Sequence, residues 1–268
     1  MLYLRKTFSY EYSPEEADVI LLGIPFDSTE TGSPVRFGPV FLREAIKNMP
    51  GYDPENGISI FEKLKFCDVG DVEIVPGNWK LTSHAIRDSI KYLMEINNKA
   101  IKVFLGGEHL ISLAILEGLL EFHKKITVIH FDAHKDLMPE WMGEKFSHIT
   151  WAYHIMKKSG IELVQIGCRS WNKEEEKILT KQKIPKTKNP VYITVDLDVF
   201  DPVYAPEVGT PEPQGITPKD FLQTLKKIPM KNLIGFDIVE CASQCVNTKT
   251  ALLGAWVFKK ILVTRVKQ

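Results

Sequence analysis

The 268-residue chain is poor in features that would commit it to a special environment. Its four cysteines, Cys67, Cys168, Cys241 and Cys245, form no CxxC pair, which excludes a zinc ribbon and a thioredoxin-like redox centre. Nothing partners Cys241 and Cys245 as a metal pair, so all four read as free thiols of a reducing cytoplasm. Charge of one sign is also missing, because 34 Lys and Arg balance 34 Asp and Glu. That balance leaves no electrostatic footprint for nucleic acid or for an anionic membrane. No apolar run approaches a membrane span, and ADVILLGIPF has the length of a buried strand. The first residues, MLYLRKTFSYEYSPEEAD, lack the apolar core and cleavage site of a signal peptide. Gly106 and Gly107 lack a Walker pattern, which removes a phosphate loop, and are expected to let the backbone approach a ligand closely.

The chain alternates strand-like and helix-like segments. Strands are expected at ADVILLGIP, KLKFCDVG, AIKVFLGG, ITVIHFD, IELVQIG, VYITVDLD and KNLIGFDIVE. Helices are expected near 41–48, then at 81–97, 110–123, 149–158, 173–182, 218–227 and 250–262. Short apolar strands alternating with amphipathic helices mean βαβ units and a mainly parallel sheet. With no internal repeat or Ser/Gly linker, the expectation is one α/β domain over 1–268.

Chemistry concentrates where these strands end. HFDAHKD at 130–136 follows a β-branched run and spaces Asp132, His134 and Asp136 two apart. On an extended backbone that spacing sends all three side chains one way. VYITVDLDVFDP places Asp196 and Asp198 two apart, and KVFLGGEHL sets His109 just past a Gly-Gly turn. Close-packed carboxylates repel unless a cation lies between them. His with Asp and no thiolate suits a borderline-to-hard divalent metal such as manganese. In open α/β sheets the carboxyl edge is where ligands bind, and the long loops 132–148 and 198–217 follow that edge. His130 reads as a core or supporting histidine rather than a seventh ligand, and Asp201 as a turn or hydrogen-bonding residue. His84, His123 and His154 read as surface or satisfied core residues, and Lys173–Lys188 as a solvated face.

Together GGEH (106–109), DAHKD (132–136), SH (147–148), DLDVFDP (196–202) and DIVE (237–240) resemble the ureohydrolases, the family of arginase and agmatinase. GIPFDSTETGSPVRFGP at 23–39 is similar to the signature of the agmatinase branch. The resemblance implies a three-layer α/β/α fold, two manganese ions, and hydrolysis of a guanidino group to urea. It assigns His109 and Asp136 to one metal, His134 and Asp198 to the other, and Asp132 and Asp196 as bridges. Two metals sharing a water lower its pKa toward neutrality, which suits attack on a delocalised guanidinium carbon. His148 matches the family's proton-relaying histidine, and Glu240 the carboxylate that pairs with the guanidinium. Glu108, Leu110, Ile149, Cys241 and Ala242 depart from the usual residues, and none is an expected ligand.

The same resemblance addresses the substrate. Arginases bind the α-carboxylate with an Asn and a Ser where this chain has Met138 and, in a loop of slightly different spacing, Glu144. An acid repels a carboxylate and attracts an amine, so Glu144 is expected to bind substrate. A decarboxylated compound follows, agmatine or N1-aminopropylagmatine, giving putrescine or spermidine. Trp141, in the same loop, is expected to line the mouth or to pack. The alternatives are an arginase, another guanidino or formimino hydrolase, or a non-catalytic metal-binding subunit. A homo-oligomer, trimer or hexamer, is expected from the family, with no nucleic-acid or membrane partner.

Overall fold

In a computed structural model, which describes Phe8 and residues 11–28 and 33–268, seven parallel strands form one sheet. Residues 29–32 of the N-terminal signature, and residues 1–7, 9 and 10 of the first segment, lie outside the described residues. In chain order the elements are β1 (Val19–Ile24), α1 (Gly38–Asn48), β2 (Tyr52–Asp53), β3 (Ile58–Ser59), α2 (Ile60–Lys63), β4 (Phe66–Asp71), α3 (Trp79–Ile96), β5 (Ile101–Gly106) and α4 (Ile111–Leu120). They continue with β6 (Ile126–Phe131), α5 (Trp151–Met156), β7 (Ile161–Ile166), α6 (Lys173–Glu176), β8 (Val191–Asp196), α7 (Pro218–Leu225), β9 (Leu233–Val239) and α8 (Lys249–Lys267). The sheet order is β4-β1-β5-β9-β8-β6-β7. β2 and β3 make a separate antiparallel pair.

The strands read as continuous apolar runs because both sheet faces are covered. Leu21, Val103, Ile193 and Phe236 face a core shared with α1, α7 and α8. Ile20, Phe104, Val128 and Tyr192 face a second core shared with α3, α4 and α5. Helix, sheet and helix are the three expected layers.

The expected strands are all present, and the helices differ at their ends. The segment expected at 173–182 is helical only over Lys173–Glu176, where an Asn172–Glu175 capping box closes its first turn. Beyond it Lys181 bridges to Val164 of β7, so sheet pairing replaces the next helical turns. α8 runs on to Lys267, five residues past the expected stop at 262.

The placement of the site follows from strand order. β5, β9, β8 and β6 are neighbours in the sheet although β8 and β9 come late in the sequence. Their carboxyl ends therefore bring segments near 109, 132, 196 and 240 together. Gly107 is required at this edge, since a Cβ there would lie 2.0 Å from the Phe26 carbonyl oxygen. The Glu108 N–H donates to that carbonyl at 2.9 Å, and the Gly107 N–H to Ile24 at 2.9 Å. The missing side chain of Gly107 thus makes room for the backbone that follows β1, while that of Gly106 makes room for the side chains of Ile111 and Val239.

Candidate metal and active site

His109 lies just beyond β5, and its ring is fixed on one side. Its Nε2 is 2.8 Å from Thr194 Oγ1, and that hydroxyl donates to Asp237 at 2.6 Å. Ser112 and Tyr192 also donate to Asp237, at 2.8 and 2.7 Å. Thr194 has spent its proton on Asp237, so it accepts from His109 Nε2–H, which leaves Nδ1 to face the other way. Nδ1 is buried and has no hydrogen-bond partner among the described residues. Around it stand carboxylate oxygens of Asp132 at 3.0 Å, Asp196 at 3.2 Å and Asp136 at 3.4 Å. A bare nitrogen lone pair turned toward three carboxylates is repulsive unless positive charge lies among them. This donor set fits a divalent cation.

A second group adjoins it. His134 Nδ1 lies 2.9 Å from Asp198 Oδ2 and 3.5 Å from Asp132 Oδ1. Asp132 therefore turns one oxygen to each group. Asp196 turns Oδ2 to His109 and accepts the Asp198 N–H on Oδ1 at 2.8 Å. All six expected ligands come together within these two groups. The electrostatics agree with a cation site. Burial and the Asp132 charge push the Asp136 carboxyl well above its usual range. Burial, then Asp198 and Asp132, do the same to Asp196. Burial works against the charge of His109, yet the surrounding carboxylates raise its pKa to about 9. The cluster calls for positive charge at that point, as a proton or as a metal.

The reason these residues converge differs from simple alternation. β6 ends at Phe131, before the first ligand. Asp132 then folds back to accept the His134 N–H at 2.5 Å, and Asp136 adopts a left-handed φ of 56°. Trp151 Nε1 donates to Asp136 at 2.8 Å. Likewise Asp198 lies in a 3-10 turn after β8 rather than on a strand. The aligned side chains are products of loop geometry, with local strain of the kind found at functional sites.

His130 stands beside the ligand cluster and, with His109, Asp132 and Asp136, belongs to a buried group whose atoms could hold a metal ion. Gln165 accepts from Thr180 at 2.8 Å and donates to the Lys135 carbonyl at 2.7 Å, which orients its amide. The amide nitrogen then faces His130 Nδ1 at 3.1 Å. Nδ1 is the acceptor, so Nε2 carries the proton toward Asp132 Oδ2 at 2.7 Å. Asp201 accepts the Val203 and Gly215 N–H groups, each at 3.1 Å, as a turn residue. His84 is exposed beside Asp88, and His154 Nε2 bonds the Lys145 carbonyl at 2.8 Å. His123 departs from expectation: it follows α4 rather than lying on it, and its buried Nε2 has no partner among the described residues.

Glu240 follows β9 with a left-handed φ of 61°. Its carboxylate accepts the His109 N–H at 2.8 Å. Burial and the neighbouring Asp196 charge hold that carboxyl well above the usual range. His148 lies where burial, then the charges of His134 and His109, lower its pKa to about 4. Its imidazole is neutral at physiological pH. His148 also lines a cleft of about 270 Å³ with Phe26, Trp79, Trp141, Glu144 and Phe146. Glu144 and Trp141 are exposed and line this cleft, whereas Glu240 is buried.

Residue order alone does not single out the supporting residues Thr194, Asp237, Gln165 and Glu212. Glu212 Oε1 lies 3.6 Å from His134 Nε2. Thr194 carries a usable signal, since it stands two residues before Asp196 on the same strand face.

The profile described as "Arginase family" matches residues 17–186 and 179–264. The chain is 33% identical over 276 residues to the N(1)-aminopropylagmatine ureohydrolase of Thermococcus kodakarensis, covering 95% of this chain and 94% of that protein. It is 32% identical to the agmatinase of Pyrococcus horikoshii, covering 95% of each. Among solved structures, the agmatine ureohydrolase of Thermoplasma volcanium superposes with a TM-score of 0.86 at 28% identity, over 100% of this chain and 96% of that one.

Proposed function

The chain belongs to the arginase family, hydrolases of C–N bonds in amidines, and we propose that it is a binuclear manganese ureohydrolase acting on a decarboxylated guanidino substrate. Agmatine and N1-aminopropylagmatine are the candidates, giving putrescine and spermidine. The observation that carries the reading is His109 Nδ1, buried without a hydrogen-bond partner among three carboxylates. His109, Asp132, Asp136 and Asp196 would hold one ion, and Asp132, His134, Asp196 and Asp198 the other. When bound, such a pair lowers the pKa of a shared water toward about 7 and offsets charge developing on the substrate.

The chain's own groups do the rest. A planar guanidinium presents paired N–H donors that a carboxylate accepts as a fork, and Glu240 is the carboxylate for it. Burial has raised the affinity of Glu240 for positive charge, so a guanidinium relieves an unfavourable buried anion. Neutral His148 accepts a proton and returns it to the departing amine nitrogen, which leaves only when protonated. Glu144 at the mouth attracts an ammonium and repels a carboxylate. The same reading carries a homo-oligomer, trimer or hexamer, in the cytoplasm.

The test is a urea-release screen of manganese-loaded protein against agmatine, N1-aminopropylagmatine, arginine, guanidinobutyrate and formiminoglutamate. Urea from the decarboxylated compounds, abolished by Glu240→Ala with metal content intact, is the expected result. Urea from arginine at equal or better efficiency transfers the reading to arginase.

A further inference from the structure

We infer that the cleft outside His148 is a subsite for an alkylated ammonium, held between the indoles of Trp79 and Trp141 and neutralised by Glu144. The inference rests on the ureohydrolase reading and extends it, because it selects a secondary ammonium over a primary one as the substrate's second cation.

The outer wall is a tight hairpin. Trp141 and Glu144 exchange both backbone hydrogen bonds at 2.8 Å. Met142 and Gly143 between them have φ of 50° and 84°, the signs a type I′ turn requires. Residues paired directly across such a turn project to the same face. The hairpin therefore presents an indole and a carboxylate side by side. Trp79 stands among the other lining residues, with its ring centroid 5.4 Å from Phe26 and 6.4 Å from Phe146.

Charge and hydrogen bonding decide what this cleft takes. Among the described residues neither Lys nor Arg lines it, Glu144 is the lining carboxylate, and His148 is neutral. Trp141 is 42% exposed and Met142 76%, so apolar surface is left open around an acid. Indole faces attract cations better than phenyl rings do. Phe146 already carries the chain's own Lys145 ammonium 5.2 Å from its centroid, which leaves the cation role to the indoles. Ser28 Oγ donates to the buried Glu108 carboxylate at 3.1 Å, and Ser147 Oγ is 3.2 Å from His148 Nδ1. Both hydroxyl oxygens can still accept, so an ammonium N–H finds partners in them and in Glu144. A secondary ammonium differs from a primary one in carrying a second alkyl arm, whose methylenes rest against the rings.

The test compares agmatine, N-propylagmatine and N1-aminopropylagmatine with manganese-loaded wild type and with Trp79→Leu, Trp141→Leu and Glu144→Gln. Wild type should favour both alkylated compounds over agmatine in kcat/KM. Each indole replacement should reduce that preference roughly 3- to 30-fold. Calorimetry supplies a readout independent of turnover: spermidine should bind more tightly than putrescine, and Trp141→Leu should erase the difference. Agmatine used as well as the alkylated compounds, with spermidine and putrescine bound alike, overturns the subsite and leaves the ureohydrolase reading standing. Tight spermidine binding with no urea from any compound supports the subsite and overturns the ureohydrolase reading.

Discussion

His109, in the ligand cluster, and Trp141, on the wall of the cleft that His148 lines, are held in opposite ways. His109 is 1% exposed, and its ring is braced through Thr194 to Asp237, which itself receives three hydroxyl donors. Trp141 is 42% exposed and sits on a two-residue turn in a loop. The inner end is built from four neighbouring strand ends, where the sheet leaves little freedom. The outer end is a loop wall that can change without disturbing the sheet. On the proposed function, chemistry that must be pre-organised falls on the rigid part, and selection between substrates on the part that varies cheaply.

That division can be broken first from the inside. Asp132 turns an oxygen to each ligand group. Asp132→Ala should take metal content from about two ions per chain toward none and abolish turnover. In wild type, manganese at 100 times its Kd should stabilise the fold by about 2.7 kcal/mol, a rise of roughly 5–11 °C in Tm for a chain of this size. The variant should lose that rise in a thermal melt. Retention of one tightly bound ion by Asp132→Ala would remove its bridging role.

His148 lies between the two ends and should give the next largest effect. His148→Ala should lower turnover roughly 10²–10⁴-fold with metal content unchanged. Burial and nearby positive charge bring its pKa down to about 4, below the usual histidine range. The base form is therefore present throughout the neutral range and is lost only as pH falls toward that value. A loss of rate between pH 8 and 6 thus arises at the cluster, and His148→Ala should leave the slope of that limb unaltered. A flattened limb in the variant would reassign it to the imidazole.

Gln165 sharpens the comparison without touching a ligand. It orients His130, which donates to Asp132. Gln165→Leu should weaken manganese binding roughly 10–100-fold in a competition titration while the fold persists. Unchanged affinity would make Gln165 a packing residue only.

The smallest effect belongs to the loop. A carboxylate brought against Glu144 loses contacts worth about 1.5–3 kcal/mol, or roughly 10- to 150-fold in specificity. Glu144→Ser should recover about 10-fold of the gap between arginine and agmatine, read as a ratio of kcat/KM. Loss of activity on both substrates alike would move Glu144 out of specificity and into the support of the loop.

The inner end is the more legible of the two in the residue order. β-branched runs such as ITVIHF and VYITVD mark buried strands because burial on both faces demands continuous apolar sequence. Asp and His clustered just after them could only stand at the carboxyl edge. The supporting residues are hidden by distance along the chain. Thr194 reaches His109 across 85 residues of sequence, and Asp237 reaches Ser112 across 125. Both contacts depend on a sheet order that inserts β9 and β8 between β5 and β6. Trp79 begins α3, far from the loop it faces across the cleft, and nothing in its neighbourhood marks it.

Residue type, spacing and hydrophobic pattern by themselves determined the strands, the edge that carries function, and the metal-favouring chemistry of the ligands. These are local properties, set by which side chains follow which apolar run. Only the tertiary structure decided which strand ends became neighbours, which tautomer His109 and His130 adopt, and what stands across from the Trp141–Glu144 turn. Those depend on hydrogen bonds and packing between segments that the chain order keeps apart, and no local pattern encodes them.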